Sequence, residues 1–239
     1  KKMSLYKDAN ITFVGCSRWL SGRAKKSYLL RGKAVLSIPN PIDTKVYHPM
    51  DQGMARELLG LPSGKRLLLF GALNVTDKRK GIDYLIEALR RMEKQDVELV
   101  VFGQVKDDIR GLFPVPIHSM GYLSDESKIV ALYNAVDMFI TSSLEENLPN
   151  TIMESMACGT PCVGFEIGGI PEMIDHRVNG YVANYKDAGD LANGIQWVLE
   201  HEDRLALSDA CVKKVQENYT EEVVAKQYTA LYEKLLKGE

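Results

Sequence analysis

The chain offers little of what most specialised proteins advertise. It has four cysteines in 239 residues, Cys16, Cys158, Cys162 and Cys211, and no two form a Cys-x-x-Cys pair. The four histidines, at 48, 118, 176 and 201, are dispersed. A zinc site is therefore not expected, and the cysteines read as buried free thiols of a reducing compartment. Net charge is −2, with no long basic stretch, so nothing electrostatic points to nucleic acid. No apolar run approaches the roughly 18–20 residues of a membrane-spanning helix. The first residues, Lys1-Lys2-Met3-Ser4-Leu5-Tyr6, lack the apolar core of a leader peptide. There is no internal repeat, no low-complexity segment and no Asp-x-Asp to hold a divalent ion.

What is present is an alternation of strand-like and helix-like segments. Arg66–Gly71, Val97–Gly103, Ile117–Met120, Val136–Ile140 and Cys162–Phe165 are short apolar runs of the buried-strand kind. Between them lie helical patterns. In the segment from Ile82 to about Met92, the residues Ile82, Leu85, Ile86, Leu89 and Met92 follow the 3.6-residue period. Further helices are predicted over 187–199, 204–217 and 220–236, and an earlier strand–helix–strand over Ile11–Ser17, Arg18–Leu30 and Val35–Ile38. Such alternation predicts a parallel sheet with helices on both faces, a Rossmann-like α/β fold.

The segment from Ser142 to Val163 is the richest in chemistry. It reads as strand end, loop, short helix, glycine stop at Gly159 and next strand. Asn150 is expected to cap the helix, with Pro149 at its first position as the other reading. Glu145 and Glu146 fall just past a strand's carboxyl end, where open α/β sheets place ligands. Glu146 and Glu154 bracket the helix start. A helix start attracts phosphate, and a carboxylate accepts from two vicinal hydroxyls; together these outline a nucleotide sugar. The alternative is solvated loop acids and a first-turn glutamate favoured by the helix dipole.

This block resembles the signature of family 4 glycosyltransferases, retaining enzymes of the GT-B fold. A Glu, seven residues and a second Glu lead to Gly159-Thr160-Pro161-Cys162-Val163; Gly168-Gly169-Ile170-Pro171-Glu172 and Asn179-Gly180-Tyr181-Val182 follow in order. The likeness runs from about Phe13 to the C-terminus. It departs from the family at Asn147-Leu148-Pro149, where many members carry Gly-Phe-Gly, and at Ala72, where many carry Arg.

The resemblance implies roles residue by residue. Glu146 would hold the transferred sugar and Lys80 the phosphate, as the catalytic pair. Glu154 would bind the ribose. Arg79 would supply a second cation, although Lys78-Arg79-Lys80 also reads as a solvated surface cluster. Asn147, Leu148, Asn150 and Thr151 would present amides to the phosphate; Gly168, Gly169 and Gly71 would let backbone approach the ligand; Tyr122 and Leu123, in Gly121-Tyr122-Leu123-Ser124, would hold the base. Ser124 is expected to cap the next helix. The implied donor is a UDP- or GDP-linked sugar, with no metal and no cofactor. The implied acceptor is a glycan, a lipid-linked glycan or a small molecule, placing the protein in the cytoplasm or at the inner face of a membrane, in surface polysaccharide synthesis.

The implied organisation is a tail of the N-terminal acceptor domain with the interdomain linker over 1–48, a nucleotide-sugar-binding domain over 49–218, and a helix crossing back over 219–239. The chain would then begin late, with about 100–200 residues of the complete enzyme upstream, and would not catalyse transfer alone. Two rivals remain at this point: a sugar-nucleotide 2-epimerase of related architecture, and a non-catalytic sugar-nucleotide-binding module. An NAD-binding domain is disfavoured, because Phe70-Gly71-Ala72-Leu73-Asn74-Val75 is not Gly-x-Gly-x-x-Gly.

Overall fold

The computed structural model describes residue 6 and residues 9–74, 77–92, 96–104 and 110–238. The first five residues, read above for a leader peptide, and Val75-Thr76 lie outside these. The chain begins with a two-stranded parallel sheet, β1 (Thr12–Gly15) and β2 (Ala34–Ser37), joined by helix α1 (Arg18–Lys25). The expected helix to Leu30 stops at Lys25, and a separate 3₁₀ turn covers Tyr28–Leu30. Helix α2 (Gln52–Leu59) is capped by Asp51, which accepts from the Met54 N–H, and ends at Gly60 in the left-handed region.

A six-stranded parallel sheet follows. Its strands are β3 (Arg66–Asn74), β4 (Val97–Gln104), β5 (Ile117–Gly121), β6 (Met138–Thr141), β7 (Cys162–Phe165) and β8 (Gly180–Ala183), in the spatial order β5-β4-β3-β6-β7-β8. The helices are α3 (Ile82–Arg91), α4 (Glu126–Ala135), α5 (Asn150–Ala157), α6 (Ile170–Met173), α7 (Ala188–Leu199), α8 (Arg204–Asn218) and α9 (Glu221–Leu236).

Strand β3 shows why both faces are covered. Leu67 and Leu69 pack with Phe139, Ile152 and Met156, while Leu68 and Phe70 pack with Leu85, Met138 and Ile195. Side chains alternate along a strand, so a continuous Leu-Leu-Leu-Phe run supplies two cores at once. Each such side chain contributes about 1.5–3 kcal/mol on full burial. Gly71 ends the run because a Cβ there would sit 1.8 Å from the Phe102 ring.

Two caps differ from expectation. Pro149, not Asn150, occupies the N-cap of α5, and Asn150 is the first helical residue. Asp125, not Ser124, caps α4, accepting from the Ser127 N–H. In both places the neighbouring residue has the extended backbone that a cap requires. At the chain's end, the Ile42 N–H donates to the Tyr219 carbonyl at 2.8 Å. Val224 and Leu231 of α9 pack on Ile38 beyond β2.

Candidate functional site

The strand order fixes where a ligand can sit. From β3 the chain turns one way to β4 and β5, then returns to the other side of β3 as β6. The loops after β3 and β6 therefore diverge and leave a crevice at the carboxyl edge. Lys80 comes from the first loop and Glu146 from the second. Their ion pair, Lys80 Nζ to Glu146 Oε1 at 2.5 Å, spans the crevice with both side chains largely shielded.

The two loops are stitched together. The Ser142 hydroxyl donates to the Lys80 carbonyl at 2.9 Å, and the Leu144 N–H donates to the Arg79 carbonyl at 2.7 Å. Gly81 permits this approach. Its φ is 63°, and a Cβ would lie 2.0 Å from the Ser142 oxygen. The third loop, after β7, closes on the second in the same way. Gly168 has φ 60°, and a Cβ on it would lie 2.0 Å from the Glu146 oxygen; the Gly169 N–H donates to the Asn147 carbonyl at 2.5 Å. Lys80, Glu146, Asn147, Gly168 and Gly169 are thus brought together.

Helix α5 carries the second carboxylate. Glu154 Oε2 accepts from the Tyr133 hydroxyl at 2.8 Å. Burial pushes the Glu154 carboxyl up, the nearby Glu126 charge adds to this, and the Tyr133 hydrogen bond opposes it. Tyr133 is fully buried, and its hydroxyl is pushed well up by burial and by the Glu154 charge. The carboxylate lines a cavity of about 240 Å³ with Asn150, Tyr47, Asp43 and Glu126. That is less than the ~300–1000 Å³ of a drug-sized ligand pocket, room for one part of a ligand. Tyr47 is raised as well, by burial and then by the Glu154 charge. A carboxylate with one internal donor, facing a cavity at a helix start, can accept from hydroxyls of a guest.

The remaining predicted residues fall as follows. Arg79 is directed to Asp77, with Nη2–Oδ2 2.7 Å, and its hydrogen bonds to that carboxyl hold Asp77 down at about 2. Leu148 is buried and Thr151 half-buried on the first turn of α5. Tyr122 is exposed after β5, and Leu123 packs on the core. Three of the cysteines are buried free thiols, and Cys16 is half-buried; burial pushes Cys158 and Cys162 up to about 12. Among the described residues no group of three or more His, Cys, Asp or Glu could hold a metal ion, and no helix is long and apolar enough to cross a membrane.

Sequence reasoning missed Tyr133, which reads as a core aromatic, and Ser17 and Glu172, described below. It also missed Asp137. That carboxylate is buried at the amino end of β6, receiving Arg56 at 3.1 Å, Arg204 at 2.6 Å, Arg66 at 3.4 Å and the Leu67 N–H at 2.7 Å. An acid inside the apolar run Ala135–Phe139 was the available signal, since a buried charge needs partners.

The chain is similar to known proteins over nearly all its length. It is 24% identical over 213 residues to N-acetyl-alpha-D-glucosaminyl L-malate synthase of Bacillus anthracis, covering 87% of this chain and 55% of that protein. It is 28% identical over 242 residues to spore coat protein SA of Bacillus subtilis, covering 91% and 61%. The chain thus spans little more than half the length of these relatives. Sucrose-phosphate synthase from Thermosynechococcus elongatus superposes with a TM-score of 0.83 at 22% identity, over 100% of this chain and 61% of that one. Anabaena Alr3699/HepE, solved in complex with UDP-glucose, gives 0.78 at 19%, over 97% and 66%. These likenesses show the fold, that of the GT-B glycosyltransferases. A family model described as "Glycosyl transferases group 1" matches residues 64–201. That span holds the crevice, both glutamates and the glycines of the third loop, and by it this chain belongs to the group 1 glycosyltransferases.

Proposed function

We propose that the chain is the donor-binding part of a retaining glycosyltransferase that moves a sugar from a nucleoside diphosphate to an acceptor hydroxyl. The observation that carries this reading is the Lys80–Glu146 pair across the crevice between β3 and β6, with a half-buried, hydroxyl-accepting carboxylate at Glu154 on the adjoining helix. In the reaction the bond from the sugar's anomeric carbon to the phosphate oxygen breaks. Its electrons stay on the phosphate, and the acceptor oxygen bonds the anomeric carbon as its proton passes to the departing phosphate oxygen. Charge develops on the leaving diphosphate, and a positioned cation with helix-start amides stabilises it electrostatically. Lys80 and the first turn of α5 supply these. Glu146 holds the sugar hydroxyls and Glu154 the ribose. Arg79 joins only by leaving Asp77.

The donor is UDP-linked in this reading, because the Anabaena neighbour is described with UDP-glucose and with UDP. Residues 1–48 form a tail of the acceptor domain, 49–218 the donor domain and 219–239 the returning helix; the acceptor is a glycan or lipid-linked glycan met at the inner face of a membrane, as in surface polysaccharide synthesis. The chain alone binds donor without turning it over.

Calorimetric titration with UDP, GDP, ADP and CMP tests the site. UDP should bind selectively, and Lys80→Ala should weaken UDP while leaving uridine unaffected. Binding of none of the four by the folded chain would remove the donor-site reading.

A further inference from the structure

Helix α1 starts beside the crevice, and its first turn is held by a side chain from far along the chain. The N–H groups of Arg18 and Trp19 donate to the two oxygens of Glu172, at 2.8 and 2.7 Å. Arg18 Nε is a third donor at 3.3 Å. Helix starts carry unpaired N–H groups and partial positive charge, so a carboxylate there is favourable. Five of the other eight α-helices named above carry an acid in their first turn. This one has no acid in its first turn, and its N-cap Ser17 serves the Leu20 N–H. The Glu172 side chain is 17% exposed against 77% for Arg18, so the backbone amides carry the contact more than the solvated guanidinium does.

A second contact runs parallel to the first. The Ser17 hydroxyl donates to Asn147 Oδ1 at 2.6 Å, and Asn147 Nδ2 donates to Cys16 Sγ at 2.8 Å. The Asn147 carbonyl accepts from Gly169, three residues before Glu172. The contacts close a ring: from the start of α1 to Glu172, back along the chain to Gly169, across to Asn147, and home to Ser17. Glu146, one residue from Asn147, is braced by that ring, and Gly168 is packed against its carbonyl.

We infer that Glu172 is a positioning residue: with Ser17 and Asn147 it fixes the loops at 145–148 and 168–169 in the geometry that receives the transferred sugar. This rests on the donor-site reading above. In that reading the nucleotide end is held chiefly by other elements, Glu154 beside Tyr133 and Lys80 after β3; Glu172 touches none of these side chains, and only Lys80 meets the braced loop, through Glu146. Loss of Glu172 therefore weakens the sugar's share of binding and spares the nucleotide's.

The test compares UDP-glucose with UDP on the 239-residue chain as wild type, Glu172→Gln and Ser17→Ala, alongside amide hydrogen exchange without ligand. The ratio of the two Kd values measures what the sugar adds. In Glu172→Gln it should fall about tenfold, the loss of about one hydrogen bond, with UDP affinity within about twofold of wild type. Ser17→Ala should move it the same way by less. The Gly169 amide should exchange faster in both variants while the melting temperature falls by no more than about 2–4 °C, the cost of losing the Ser17 cap or the helix-start charge. An unchanged ratio and unchanged Gly169 exchange overturn the inference and leave the donor site standing. A wild type that binds neither ligand removes the donor reading, and faster or unchanged Gly169 exchange then decides the bracing role by itself.

Discussion

Replacing Glu154 by Gln should move stability and binding in opposite directions. In the free protein the carboxylate is desolvated, and its pKa is raised above the ordinary 4.5 chiefly by burial. Gln keeps the shape and can still accept from the Tyr133 hydroxyl, while the cost of burying a charge disappears. The melting temperature of Glu154→Gln should equal or exceed that of wild type. The pH dependence has a definite sign. Because the folded pKa is raised, the folded state holds more protons than the unfolded one between pH 4.5 and the folded value, so this group's contribution falls as pH rises through that window. The variant lacks the group, and its relative stability should grow with pH until the wild-type carboxyl is fully ionised. Binding goes the other way. A hydrogen bond to a charged group contributes about 1.5–3 kcal/mol, so losing one charged acceptor for the ribose should weaken UDP by roughly 10- to 150-fold. Thermal melts at pH 4 to 8 and calorimetric titration at neutral pH read both quantities. A variant that melts several degrees lower and binds UDP as well as wild type would show that Glu154 serves only as an acceptor for Tyr133, and would refute the reasoning.

Asp137→Asn should be the most damaging conservative change in the framework. It strands Arg56, only 7% exposed, without its counter-charge. Breaking one side of a buried pair costs about 3–5 kcal/mol, or roughly 6–20 °C in melting temperature for a chain of this size. Gly81→Ala and Gly60→Ala make an informative pair, since both glycines have φ near 64° and only the first would drive a Cβ into backbone, the Ser142 oxygen. Gly60→Ala should cost about 1–2 kcal/mol of left-handed strain; Gly81→Ala should cost more and also weaken UDP, read by chemical denaturation and titration.

Much of this architecture is visible in the residues because its determinants are local. The Leu67–Phe70 run, short and closed by Gly71, reads as a strand buried on both faces, and Ile82, Leu85, Ile86 and Leu89 fall on one helical face. Glu146 and Glu154 stand out through the resemblance, since their spacing alone fits solvated loop acids or a dipole-favoured glutamate equally well. What stayed hidden depends on contacts far apart in sequence. Ser17 meets Asn147 across 130 residues and Trp19 meets Glu172 across 153; neither pairing leaves a periodic trace. Tyr133 sits in an apolar stretch of α4, and only the packing of α4 against α5 turns it toward Glu154. At the start of α5 Asn150 carries the commoner capping side chain, whereas the extended backbone of a cap belongs to Pro149.

Strand β6 is four residues long, Met138–Thr141, about 13 Å at the rise of a β-strand. At one end Asp137 gathers three arginines; at the other begins the loop that carries Glu146. The buried ion cluster and the proposed sugar-facing loop therefore occupy opposite rims of one sheet, joined by a short strand. A substitution in the loop at the upper rim thus leaves the buried ion cluster below, and the stability it supplies, unchanged.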